Sequence, residues 1–259
     1  MKPIVIVFVL LLTASIPVQS TGEAIKEVRW GTETWLGITD GNGLYDMLMN
    51  EIFSSRGVKV VKIEYPLERA ILLVKYGEID FTGGIFKDRA PHDDYYQSPL
   101  PIFSVSISAF YRRDLFDEPP SSPKDLVGKK VCSTPLIGEG MGLLKDQYKE
   151  VRRKNQAFLM TVLGRCDVFL DESYGMELTI KKNYRRAYYS SAEAVLNDFK
   201  KIKISEAEIY MIAPKSERGK KIIELYVEGT KEIYLNGRMG EIFKVNNLTA
   251  PNLDKYLQR

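Results

Sequence analysis

The hydrophobic and polar positions change period several times along the chain. Residues 28–31 form a short β-like run closed by Gly31, and residues 32–42 read as a loop. From 44 to 53 the apolar residues Leu44, Met47, Leu48, Ile52 and Phe53 recur at helical spacing, and Gly57 supplies a stop. Residues 58–63 alternate and are β-branched, which predicts a strand. A helix over 68–76, ended by Gly77, and a strand over 79–82 running into Gly83-Gly84 complete a β-α-β-α-β opening. That order predicts an α/β domain with mainly parallel strands.

A longer β-rich run follows at 102–111. Residues 112–123 then break the pattern with charges and with Pro119, Pro120 and Pro123, and read as the passage between two lobes. A second α/β series follows: a strand over 131–134, a helix from Leu143, a helix over 156–163, and a buried strand over 166–170 with Asp171 at its carboxyl end. Residues 209–213 are strand-like and would cross back to the first lobe. A long amphipathic helix over 220–235 and a short one over 239–243 close the chain. The expected organisation is a signal peptide over 1–20, a discontinuous first lobe over 21–110 and 210–259, and a second lobe over 111–209.

The first residues carry their own signal. Lys2 precedes an apolar run from Ile4 to Leu12, followed by small and polar residues ending at Ser20. This is the layout of a cleavable secretory signal, and the run is short of the roughly 20 residues a membrane-spanning helix needs. The mature protein is therefore expected to be exported to the periplasm, cleaved near Ser20, and not embedded in a membrane.

Charge is nearly balanced, with 37 Lys and Arg against 34 Asp and Glu. No clustered basic excess marks a nucleic-acid binder. The single histidine, His92, and the lack of CxxC or HExxH patterns point to no metal site and no cofactor. The two cysteines, Cys132 and Cys166, suit a disulfide in an oxidising compartment or two separate buried thiols.

In α/β domains, ligands bind at the carboxyl ends of parallel strands. Four such ends are legible. They carry Glu33 and Trp35; Thr82, Gly83 and Gly84, with Lys87 and Arg89 beyond; Ser133 and Thr134; and Asp171 with Glu172. Two come from each series, so a shared site would lie between the lobes. An Arg can hold a carboxylate through a planar pair. An Asp can accept from an ammonium, the glycines permit close backbone approach, and Trp35 offers a flat wall or a cation partner. Plainer roles compete: Arg89 as a solvated charge, Asp171-Glu172 as a helix cap, Trp35 as core, and Gly83-Gly84 as a turn.

An ordered series of segments spans the mature chain: VRWGT at 28–32, GLYDML at 43–48, GVKV at 57–60, ERAILLVKYGEID at 68–80 and YYQSP at 95–99. DLVGKKV at 125–131, GRCD at 164–167 leading to Asp171, and SERGK at 216–220 continue it. In this series the chain resembles the family 3, polar amino-acid type, periplasmic solute-binding proteins of ABC importers. The resemblance implies an α/β, two-lobed periplasmic-binding-protein (venus-flytrap) fold, each lobe a mainly parallel sheet flanked by helices, joined by a two-strand hinge. It implies capture of a small polar solute, an amino acid or related compound, with no catalysis. The expected protein partner is an ABC importer permease or a sensor ectodomain, and a monomer is expected. It also implies roles: Arg89 for a ligand carboxylate, Asp171 for an amino group, Trp35 as pocket wall. Two departures mark a divergent branch. The stretch from Asp80 to Arg89 is short, which makes Lys87 a competitor for an anionic group, and residues 135–141 replace the usual Gly-Thr pair. Two other readings stand beside it: ligand sensing with a membrane receptor, and a dehydratase-like enzyme using Glu33, Asp171 or Glu172.

Overall fold

The computed structural model describes residues 24–35, 37–87, 93–143 and 146–258. Residues 1–20, expected to be a signal peptide, and Arg89 lie outside the described residues.

The chain opens with β1 (Glu27–Thr32), α1 (Leu44–Ser54), β2 (Lys59–Glu64), α2 (Leu67–Lys75) and β3 (Thr82–Phe86). β1 and β2 are parallel, and Trp30 bridges to Phe81 in the same sense. β4 (Tyr95–Gln97) and β5 (Phe103–Arg112) follow. The second series holds β6 (Val131–Ser133), α3 (Pro135–Gly140), β7 (Tyr148–Glu150), α4 (Lys154–Val162), β8 (Val168–Glu172), α5 (Ser173–Asn183) and α6 (Ala192–Asp198). The chain ends with β9 (Phe199–Pro214), α7 (Glu217–Leu235), α8 (Arg238–Val245) and α9 (Asp254–Leu257).

Two long antiparallel strands, β5 and β9, join the halves. They pair from Phe103↔Ile209 to Arg112↔Phe199. At one end β9 pairs β3 and β4; at the other β5 pairs β8, and β8, β6 and β7 run parallel. The sheet order is β3-β9-β5-β8-β6-β7. Each half thus has a parallel set flanked by helices, and the connection between them is the shared β5–β9 ladder.

Several local details differ from the periodicity. The strand expected over 79–82 instead runs through the glycines, because Gly84, at φ +83°, takes up a register shift against β9 that few other residues tolerate. The helix expected from Leu143 lies earlier: Pro135 opens α3 with its φ already suited to a first helical turn, and Gly142, at φ +72°, ends the segment. β8 continues through Asp171 and Glu172 rather than stopping before them.

One apolar cluster runs from the first lobe, with Trp30, Tyr45 and Phe81, to the facing side of the second, with Ile137, Tyr148 and Leu170. A second core lies on the far face of the second lobe around Phe110, Phe158 and Phe169. α7 packs on α1 at Gly229, where a Cβ would come 2.4 Å from the Ile52 carbonyl oxygen. In an open helix, alanine outperforms glycine by about 1 kcal/mol. Here the contact reverses the sign, and Gly229→Ala is expected to cost about 1–3 kcal/mol through overpacking. The urea midpoint of the variant checks this; a rise would show that α1 yields freely.

Candidate functional site

The junction between the lobes is built from the loop after β1 and from the ends of β8 and α4. The loop is shaped by its own bonds: Thr39 Oγ1 donates to the Glu33 carbonyl and accepts from the Trp35 amide at 2.7 Å, and the Thr39 amide donates to the Trp35 carbonyl at 2.7 Å. Asp46 closes its far side by accepting from the Gly41 and Gly43 amides and from Lys62. Trp35 is thereby presented toward the second lobe, where its indole Nε1 donates to Glu172 Oε1 at 2.8 Å. Gly37 and Gly140 make the other close approaches, Gly37 under the Tyr174 ring and Gly140 against Phe86.

Glu172 is 3% exposed. It caps α5, accepting from the Tyr174 and Gly175 amides. Asp171, its neighbour in β8, is fully buried. Its Oδ1 accepts from the Glu172 amide at 2.9 Å and meets Lys154 Nζ at 3.0 Å, while its Oδ2 is buried with no hydrogen-bond partner among the described residues. Lys154 also reaches Glu172 Oε1 at 3.4 Å and sits over the Trp35 ring, 4.9 Å from its centroid.

The electrostatics follow from this crowding. Burial pushes Asp171 well above the ordinary carboxylate range, Lys154 pulls it back, and the neighbouring Glu172 charge raises it further. Burial works against the Lys154 ammonium, but Asp171 and Glu172 outweigh it and hold the lysine charged. Desolvation of the Glu33 carboxyl raises it, opposed by Lys154 and by the Leu67 amide at the start of α2.

An Asp whose folded pKa is raised binds its proton more tightly when folded. Its contribution to stability is present below the unfolded value near 4 and is lost as pH rises toward about 7. Asp171→Asn should therefore gain on the wild type as pH rises across that window. Paired melting curves from pH 4 to 8 measure the gap, and a constant gap would refute the assignment.

Of the sequence-derived residues, Glu33, Trp35 and Asp171 meet at this junction, and Gly84 lies under Trp35, where a Cβ would come 4.0 Å from Cζ3. Thr82 and Gly83 are buried in the first-lobe core, where a Cβ on Gly83 would strike the Tyr45 hydroxyl. Ser133 is buried and donates to the Leu170 carbonyl at 3.3 Å, and the Thr134 carbonyl accepts from the Gly138 amide in α3. Lys87 lies elsewhere, lining an open groove of about 410 Å³ with Tyr96, Tyr210, Lys215 and Tyr256. Both of that groove's lysines are exposed, so the buried charged set between the lobes is the stronger candidate. Cys132 and Cys166 are joined by a disulfide, with Cα atoms 5.9 Å apart, in the second-lobe core.

Lys154 was not singled out from the sequence. The sequence predicts the helix only from 156; the structure starts α4 at Lys154, where the backbone dipole disfavours a cation unless carboxylates hold it there. Among the described residues no helix is long and apolar enough to cross a membrane.

No family model matches the chain, and no curated protein matches it. Solved structures do. One is a histidine kinase sensor domain described as similar to periplasmic binding proteins: TM-score 0.69, 17% identity, 88% of this chain and 99% of that one. A second is an ancestral arginine-binding protein bound to glutamine: TM-score 0.67, 19% identity, 86% and 98%. A third is the arginine-, lysine-, histidine-binding protein ArtJ from Geobacillus stearothermophilus: TM-score 0.67, 18% identity, 90% and 100%. The chain has the two-lobed periplasmic-binding-protein fold. At these identities the likeness carries the fold across and leaves the ligand to be argued from the site.

Proposed function

We propose that this is a periplasmic solute-binding protein, which captures a small polar molecule between its lobes and delivers it to the permease of an ABC importer. The observation that carries the reading is the bond from Trp35 to Glu172. It joins the first-strand loop of one half to the strand end of the other, beside a half-buried lysine and two further carboxylates. A site shared between lobes gains contacts only on closure, and that difference is what a ligand exploits to drive hinge bending. The similar structures named as amino-acid-binding proteins support capture of a small polar solute. On this reading residues 1–20 direct export, residues 21–110 and 210–259 form one lobe, and residues 111–209 form the other. Arg89 is retained as the group for a ligand carboxylate. The sensor-domain likeness favours a second use of the same trap, docking on a membrane receptor in place of a permease.

Trp35 makes the test direct, since the other tryptophan, Trp30, is buried in the core. A library of amino acids, amines, hydroxy acids and organic acids is titrated while fluorescence and melting temperature are followed. At least one compound should shift both, with the fluorescence response lost in Trp35→Phe. Silence across the library, with native mass spectrometry finding no carried-over small molecule, would sink the reading.

A further inference from the structure

Two carboxylates and an indole face form a recognition set for an ammonium group on chemical grounds alone. Here that set is already engaged by the chain itself. Lys154 Nζ lies 3.0 Å from Asp171 Oδ1, 3.4 Å from Glu172 Oε1 and 4.9 Å from the centre of the Trp35 ring. The lysine comes from the first turn of α4, where the helix dipole opposes a positive charge, so its position depends on those acids rather than on its own helix. Asp171 Oδ2, buried with no hydrogen-bond partner among the described residues, marks a place with acceptor capacity beyond what Lys154 uses.

We propose that Lys154 is the cleft's own ammonium. It is a tethered group that occupies the acid pair and excludes a ligand's ammonium from it, so that the captured solute lacks an ammonium at that end. The second half of this statement rests on the solute-binding reading above; the first half does not. Free α-amino acids, whose ammonium would compete with Lys154 for the same three partners, are then poor ligands. Solutes with a hydroxyl or a hydrogen in that position are the better ones.

Lys154→Ala removes the tethered cation and leaves space beside both acids. At pH 8, methylammonium chloride at about 100 mM should raise the melting temperature of this variant by roughly 2–4 °C over sodium chloride, the response expected when a ligand several-fold above its Kd binds only the folded state. The wild type and Lys154→Met, in which the space is filled, should not respond. Two buried carboxylates stripped of their cation could leave Lys154→Ala unfolded, so refolding from urea into methylammonium or sodium chloride is measured as well, and recovery in the amine alone counts as the same result. No effect of the amine in either assay overturns the proposal. Paired solutes complete the test, each an α-amino acid and its 2-hydroxy counterpart. Lys154→Ala is expected to bind the amino member at least tenfold more tightly than the wild type does. Equal or tighter binding of amino acids by the wild type overturns the exclusion. If amine rescue succeeds and no solute binds the wild type, the lysine assignment stands and the solute-binding reading falls.

Discussion

Replacing Glu172 with alanine is expected to lower stability by about 2–4 kcal/mol, through a lost helix cap and donors left short of an acceptor. The side chain is almost fully buried and serves three structures at once. It accepts from the Tyr174 and Gly175 amides at the start of α5, from Trp35 Nε1 across the lobes, and from Lys154. Cap loss alone costs about 0.5–2 kcal/mol. The rest comes from an indole N–H and an ammonium left with fewer acceptors in a crowded site. These contributions share one carboxylate and do not sum. Glu172→Gln separates them: its amide oxygen retains acceptor capacity toward the cap or Trp35 while the charge is lost, so its penalty should be clearly smaller. Urea unfolding of both variants is the measurement. A loss below about 1 kcal/mol in Glu172→Ala would place the carboxylate among solvated surface acids, where ion pairs contribute that little.

Reduction of the Cys132–Cys166 bond should be at least as damaging. The bond closes a loop with a sequence separation of 34, for which chain-entropy arguments give about 4 kcal/mol. Both cysteines are buried beside Phe110, Phe158 and Phe169, so reduction also leaves two thiols inside a core packed around a bond. For a chain of this size such a loss lowers the melting temperature on the order of 10 °C. Melting with and without a reductant is the direct comparison, with Cys132→Ala/Cys166→Ala as a control whose melting the reductant should not alter. Thiol labelling of the unfolded, unreduced protein should find no reactive cysteine. Full labelling, or a wild type indifferent to reductant, would show that the bond does not form in solution.

Legibility in the sequence was uneven, and the unevenness has physical causes. α1, α2 and α7 were readable because each presents one apolar stripe and ends at or near a glycine or a cap, which are properties of neighbouring residues. The sequence offers Asp171-Glu172 as a cap for the next helix, and of the two Glu172 makes those bonds at the start of α5. α5 itself is not legible because only two of its large apolar residues, Met176 and Ile180, are buried, and Leu178 and Tyr174 blur the stripe they would form. The strand-like run at 209–213 predicts five residues of β9, which is sixteen long. Its first part, with Lys200, Lys201 and Lys203, carries too many charges to read as a strand, and holds that form because β5 supplies a full antiparallel ladder.

The candidate site divides in the same way. The sequence alone determined that the chain carries two α/β series, that their strand ends bring Glu33, Trp35 and Asp171 toward a common region, and that the cysteines fall in one series. Those features follow from local periodicity and from turn residues, which act over a few positions. Only the tertiary structure decided that Asp171 and Glu172 converge on one lysine, that Trp35 bonds a carboxylate 137 residues away, and that this lysine is Lys154. A charge has no period. Its partner is chosen by which distant elements pack together and by how strongly burial forces an ion to find its counter-ion.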